Sequence, residues 1–262
     1  VSLDDYITKL KENGFDGMLI TDHDTYKGYR YWKYHMKGKA HEDFVVLKGM
    51  EYDTCDAGHI LCIMPEGVKM RLLELRGMSV SVLIDFVHRH GGILGPAHPC
   101  GEKYLSFMNT KRYYNGPEIT KRFDFMETFN ACEPAESNAG ALKAALKYHK
   151  PGSGGSDAHR PDCVGRGCTI LPETVTCETQ LISLIREKAV LETGGELYHK
   201  TTKDKMGKAS KILTYSFWVY NRSGELMKRH SRKKKGTQEN PVDPIDPIEI
   251  PYIEEGLKRR KI

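Results

Sequence analysis

The chain has 262 residues and a formal net charge of +5, with most of the basic excess late in the sequence. That length fits one large domain with a sizeable core, or one domain plus a tail. No apolar run approaches the roughly 20 residues of a membrane span, no signal peptide opens the chain, and the seven scattered cysteines form no CxxC pair, so a disulfide framework and a zinc knuckle are excluded. Reduced thiols and a cytoplasmic location are the expectation.

Residues 3–13, LDDYITKLKEN, place Leu3, Tyr6, Ile7 and Leu10 at helical spacing, with Ser2 and Asp5 as a capping pair and Gly14 as the stop. GMLITDHD then reads as a buried strand ending in polar residues. The same pattern returns in FVVLKGMEYD, GHILCIM, GGILGPAHP, FDFMETFN and SGGSDAH, with GCTILP and AVLETGG as later strands. SVSVLIDFVHRH, ESNAGALKAALKYH and CETQLISLIREK read as helices between them. Strands alternating with helices predict an α/β fold with parallel strands, and about seven such units predict a TIM-like barrel.

Beyond about residue 199 the character changes. ILTYSFWVYNRSGELMKRH reads as a hairpin, KRHSRKKKG is a basic run, and PVDPIDPIEIP cannot be helical. The chain therefore divides into a catalytic-type domain, 1–199, and a basic, proline-rich appendage, 200–262.

His23, Glu51, His59, His98, Asp157 and His159 all fall at predicted strand ends. In a parallel barrel such ends converge on one rim, and several imidazoles with two carboxylates there suit a divalent zinc, manganese or iron ion. His59 is the exception in this scheme, because it begins its strand. In Asp157-Ala158-His159 an extended backbone would aim the two ligands the same way and Ala158 away from them.

TDHDT, GMEYD followed by GHIL, GPAHP and GSDAHRPDCVG, in that order, resemble the PHP (polymerase and histidinol phosphatase) domain family over roughly residues 1–195. The resemblance implies a distorted (β/α)7 barrel with two or three divalent ions (Mn, Zn or Fe) that hydrolyses phosphate esters, nucleotides among the possible substrates. By position it implies that Glu51 bridges two metals, His59 and His98 complete the second, Asp157 holds the first, and His23 and His159 hold a third. A metal-bridged hydroxide is the expected nucleophile. Asn130 is expected near substrate or behind the ligands, and Arg160 and Arg166 are candidate phosphate contacts, with Lys103 and Arg112 weaker ones. The tyrosine-rich segment after His98 is expected to form a lid or a substrate wall.

PHP proteins open with a strand bearing a D-x-H-x-H motif, and this sequence has none before its first helix. Either the natural chain begins upstream of Val1, which the missing initiating methionine favours, or the motif is lost. As it stands the chain is expected to lack the barrel's first strand, bind metal weakly and turn over slowly. The alternative function is a degenerate module that binds nucleic acid through the basic run, or serves as a scaffold.

Overall fold

The computed structural model of the chain describes residues 2–68, 71–101 and 105–198, together with the backbone of 260 and 261. Lys103, the hairpin, the basic run and the proline-rich stretch lie outside the described residues. Helix α1 (Leu3–Glu12) begins as the sequence implies, with Ser2 Oγ accepting the Asp5 N–H at 3.1 Å. Strand β1 (Gly17–Ile20) leads into a short helix α2 (Lys27–Tyr31) that continues as a π-helical turn (Trp32–Met36). Then come β2 (Val45–Asp53), β3 (His59–Ile63), α3 (Val80–Arg89), β4 (Ile93–Pro96), α4 (Lys111–Tyr114) and β5 (Met126–Asn130). The described part ends with α5 (Ala135–Lys147), β6 (Gly152–Gly155), β7 (Gly167–Leu171), α6 (Glu178–Arg186), β8 (Glu192–Gly195) and β9 (Arg260–Lys261).

The strands form three sheets in the orders β1-β2-β3-β4, β5-β6 and β8-β7-β9. The α/β class is as expected and is consistent with TIM-like architecture, but among the described residues no sheet closes into a barrel. Nor are the strands all parallel. β1 and β2 run parallel, as do β5 and β6, whereas β3 is antiparallel to both β2 and β4, and β7 to both β8 and β9. The cause is local: only residues 54–58 join β2 to β3, and a parallel crossover needs a dozen or more.

Neighbouring sheets touch through glycine. A Cβ on Gly95 of β4 would lie 2.4 Å from the Phe125 carbonyl oxygen, and one on Gly167 of β7 would lie 2.1 Å from that of Gly155. Next to the first contact, Asp124 N–H donates to Leu94 O at 2.9 Å.

Side-chain alternation along β2 separates a core from a site. Val46, Met50 and Tyr52 pack outward, Met50 and Tyr52 against Val80, Leu83, Ile84 and Val87 of α3. Each such fully buried side chain stabilises the fold by about 1.5–3 kcal/mol. Leu47 faces the other way, with Ile63, Ile93, Phe125 and Leu171, and α6 seals this end with Leu181, Ile182, Leu184 and Ile185. The buried Glu178 at the start of α6 accepts the Lys48 N–H at 2.6 Å, tying that helix to β2. Glu51 and Asp53 then emerge at the opposite end of the inward face.

The segment after His98 does not form a lid where it is described. Ser106 and Phe107 are fully buried, and Ser106 Oγ sits 3.2 Å from His98 Nδ1. Its phenylalanine packs edge-on against Tyr113 and Phe123, so the segment supports the site from beneath.

Candidate metal centre

Glu51 and Asp53 are two residues apart on β2 and therefore share a face. His59 pairs directly with Asp53 because β3 runs antiparallel. The start of β3 and the end of β2 thus occupy one rim, which explains how a candidate ligand can begin its strand. His23 arrives by extension of the β1–β2 pairing: it forms a parallel bridge with Glu51, and Asp24 N–H donates to Glu51 O at 3.0 Å.

Glu51 is buried among the histidines. Its Oε1 lies 2.7 Å from His59 Nδ1 and 3.3 Å from His98 Nε2, while its Oε2 lies 3.6 Å from His23 Nε2. One donor atom each from His23, Glu51 and His59 lies within 4.8 Å of the others, close enough to share a cation. His59 and His98 are buried, whereas the His23 side chain is 40 % exposed and marks the open side.

Asp157 and His159 join from the far wall. Asp157 Oδ1 lies 3.3 Å from His159 Nδ1, and its Oδ2 accepts from Asn130 Nδ2 at 3.3 Å. The same amide donates at 3.1 Å to Glu127, which in turn accepts the His98 N–H at 2.6 Å. The His23 and His159 rings stand 5.9 Å apart, so all six expected residues belong to one connected cluster. Asp157 is not extended: its φ is +47°, and Ala158 lines the same cavity instead of pointing away.

Three residues here hold left-handed backbone: Asp24 at φ +50°, His98 at +29° and Asp157 at +47°. Such conformations cost roughly 1–3 kcal/mol each and collect where a site dictates side-chain direction. At His98 the gain is visible. Ala97 pairs across from His59, so regular alternation would aim His98 off that face; the positive φ turns its imidazole back toward Glu51.

Several participants were not among the expected ligands. Asp53 Oδ1 lies 3.3 Å from His23 Nδ1 and 3.1 Å from His59 Nε2, while its other oxygen accepts from Arg76 Nη2 at 2.8 Å. The alternation with Glu51 could have singled it out. Glu127, three residues before Asn130, and Arg76, in a loop, gave no sequence signal. Arg160 and Arg166 do not line the cavity: Arg160 pairs with Asp162 at 3.1 Å, and Arg166 with Glu196 at 3.2 Å. Arg112 reaches Ser81 at 3.0 Å.

The electrostatics follow from this packing. The Glu51 carboxylate, with smaller help from Asp53, holds His23 up at about 10. Burial disfavours charge on His98, but the hydrogen bond and charge of Glu51 outweigh it and raise His98 to about 9. Burial also works against ionised Glu51, yet His23 and His59 keep it well below the carboxylate range. Burial lifts Glu127 to about 7, and burial with the charge of Asp53 lifts Asp24 to about 7. The donor chemistry therefore fits a divalent cation: imidazole nitrogens surround an ionised, buried carboxylate, and a second carboxylate orients two of the rings.

A cavity of about 570 Å³ opens onto this cluster, with His23, Glu51, His98, Asp157 and His159 at its polar end and Leu61, Ile63 and Leu171 deeper in. That volume is within the range of small-molecule sites.

Residues 135–190, which span α5 to α6, match the sequence profile of the PHP-associated family. No curated protein matches the chain. Among solved structures, PsfC from Pseudomonas syringae is similar at 14 % identity and a TM-score of 0.50, covering 84 % of this chain and 88 % of that one. A presumed metal-dependent phosphoesterase from Bifidobacterium adolescentis aligns at 15 % identity and a TM-score of 0.47, covering 71 % of this chain and 90 % of that one.

Proposed function

We propose that the protein hydrolyses phosphate esters with divalent metal held by the His23–Glu51–His59 cluster. The observation that carries this reading is the position of Glu51, whose two oxygens face different histidines across one rim. The PHP-associated match over 135–190 supports the same assignment, and so does the order of the motifs along the chain. We take the architecture to be a distorted relative of the (β/α)7 barrel, with residues 1–199 as the catalytic unit and 200–262 as an appendage.

In this reading Glu51, His59 and His98 would hold one ion, Asp157 with Glu51 another, and His23 with His159 a third. Manganese, zinc or iron fits the nitrogen and oxygen donors. Bound divalent ions supply an activated water and a Lewis-acid grip on the phosphoryl oxygens. The chain's own part is to hold the donors. Asp53 aligns His23 and His59, Arg76 fixes Asp53, and Asn130 holds Asp157 against Glu127. The substrate phosphate enters on the open side by His23 and His159. Arg160 and Arg166 reach it only by leaving their present carboxylate partners.

Phosphate release from a panel of phosphomonoesters and phosphodiesters with added Mn²⁺ tests this. Turnover that depends on Mn²⁺ and disappears in Glu51→Gln is expected. No Mn²⁺-dependent release from any ester, or release unchanged by Glu51→Gln, overturns the proposal.

A further inference from the structure

Helices α1, α3, α5 and α6 close with the same pair of backbone bonds. In α3, Gly92 N–H donates to Val87 O and Gly91 N–H to His88 O; in α6, Ala189 N–H donates to Leu184 O and Lys188 N–H to Ile185 O. This closure needs one left-handed residue, by preference glycine. α1 and α3 use Gly14 and Gly91, at φ +75° and +77°. α5 and α6 instead place His149 at +52° and Lys188 at +56°, where a side chain costs stability. The helix dipole does not explain the choice, because α5 and α6 already carry Lys147 and Arg186 in their last turns.

The two strained residues share a pocket. A cavity of about 340 Å³ is lined by Lys121, Arg122, His149, Lys150, Arg186 and Lys188. It lies where the chain enters β5 and β6, whereas Asn130 and Asp157 stand at or beyond the far ends of those strands, so it is at the opposite end from the metal centre. Asp124 also lines it, but its Oδ2 is engaged by His88 Nε2 at 2.8 Å and by the Leu94 N–H at 2.9 Å. Ile185 lines both cavities, so α6 forms a wall of each.

The cations keep capacity for a ligand. Lys121 pairs with Glu118 and Arg122 with Asp85, in exposed pairs of the kind that contribute little. Arg186 donates through Nη2 to the carbonyls of Gly91 and Gly92, and Lys150 Nζ to Lys121 O at 2.7 Å; both have further N–H donors. Lys188 has no ion-pair partner among the described residues. Burial pulls Lys150 below the ordinary lysine value; Asp124 offsets part of this, and the charge of Lys188 adds to it. Two ammonium groups thus repel each other across a concave site, and an anion between them would relieve that repulsion. A phosphoryl group offers several oxygens to donors that arrive from separate elements. We propose that this pocket binds a compact phosphate-bearing anion of two or more charges, held by Lys150, Arg186 and Lys188, at a site separate from the metal centre.

Calorimetric titration of the full chain with pyrophosphate, in EDTA and at constant ionic strength, tests this without any metal. Saturable binding is expected, with sulfate binding more weakly. Lys188→Gly restores the preferred residue of the helix closure, so it is expected to keep or raise the melting temperature while weakening pyrophosphate binding about tenfold. Lys150→Gln is expected to weaken it by a similar factor, and His159→Ala, at the metal centre, to leave it unchanged. No saturable binding, affinity unchanged in both lysine variants, or affinity lost in His159→Ala overturns the proposal. Because metal is absent and the variants that matter lie at the other end of the molecule, these outcomes are independent of whether the chain releases phosphate from esters with Mn²⁺.

Discussion

The two oxygens of Glu51 look in different directions, Oε1 toward His59 and His98 and Oε2 toward His23. Removing that charge changes both metal affinity and the titration of the protein itself. His23 and His98 have folded pKa values raised to about 10 and about 9 from 6.5. Groups raised in this way contribute stability that is fully present below pH 6.5 and is lost as pH rises through the folded values. The metal-free protein is therefore expected to lose melting temperature between about pH 6.5 and 10, and Glu51→Gln to flatten that decline. Thermal denaturation across this range checks it, and a parallel decline in the variant contradicts it. Asp53 acts one step further out, so Asp53→Asn is expected to weaken metal binding by about 10–100-fold while leaving the histidines in place. A metal titration reads this directly. Of these residues, Glu51 and the histidines were legible because each stands at the polar end of an apolar run. Asp53 was hidden by its neighbour, and Glu127 and Arg76 by the absence of any pattern, since only the folded chain brings them near.

At the scale of elements, the strands and main helices could be read from periodicity, but their directions could not. The alternation of strands and helices suggested a uniform parallel sheet, whereas the five-residue link between β2 and β3 requires a hairpin. That reversal also places His59 at the rim. The left-handed backbone at His98 and Asp157 was equally invisible, because neither is glycine and only the demand of the site explains the strain. Two contacts between elements lead to measurable expectations. Gly95→Ala would press a methyl group onto the Phe125 carbonyl, at 2.4 Å from an ideal Cβ. A loss of about 1–3 kcal/mol in denaturant unfolding is expected. Glu178→Ala would leave the Lys48 N–H without its buried acceptor and is expected to cost about 1.5–3 kcal/mol by the same measurement.

At the scale of the whole molecule, three adjoining sheets carry a polar rim at one end and an apolar seal at the other. The seal by α6 gives rigidity, and the rim gathers donors from β1, β2, β3, β4 and β6 that are far apart in sequence. The central claim is that the His23–Glu51–His59 cluster binds divalent metal. The most direct test is calorimetric titration of the chelator-treated chain with Mn²⁺, beside Glu51→Gln and Arg160→Ala. Saturable binding that is lost in Glu51→Gln and kept in Arg160→Ala is the predicted result; no saturable binding, or binding unchanged in Glu51→Gln, would contradict it.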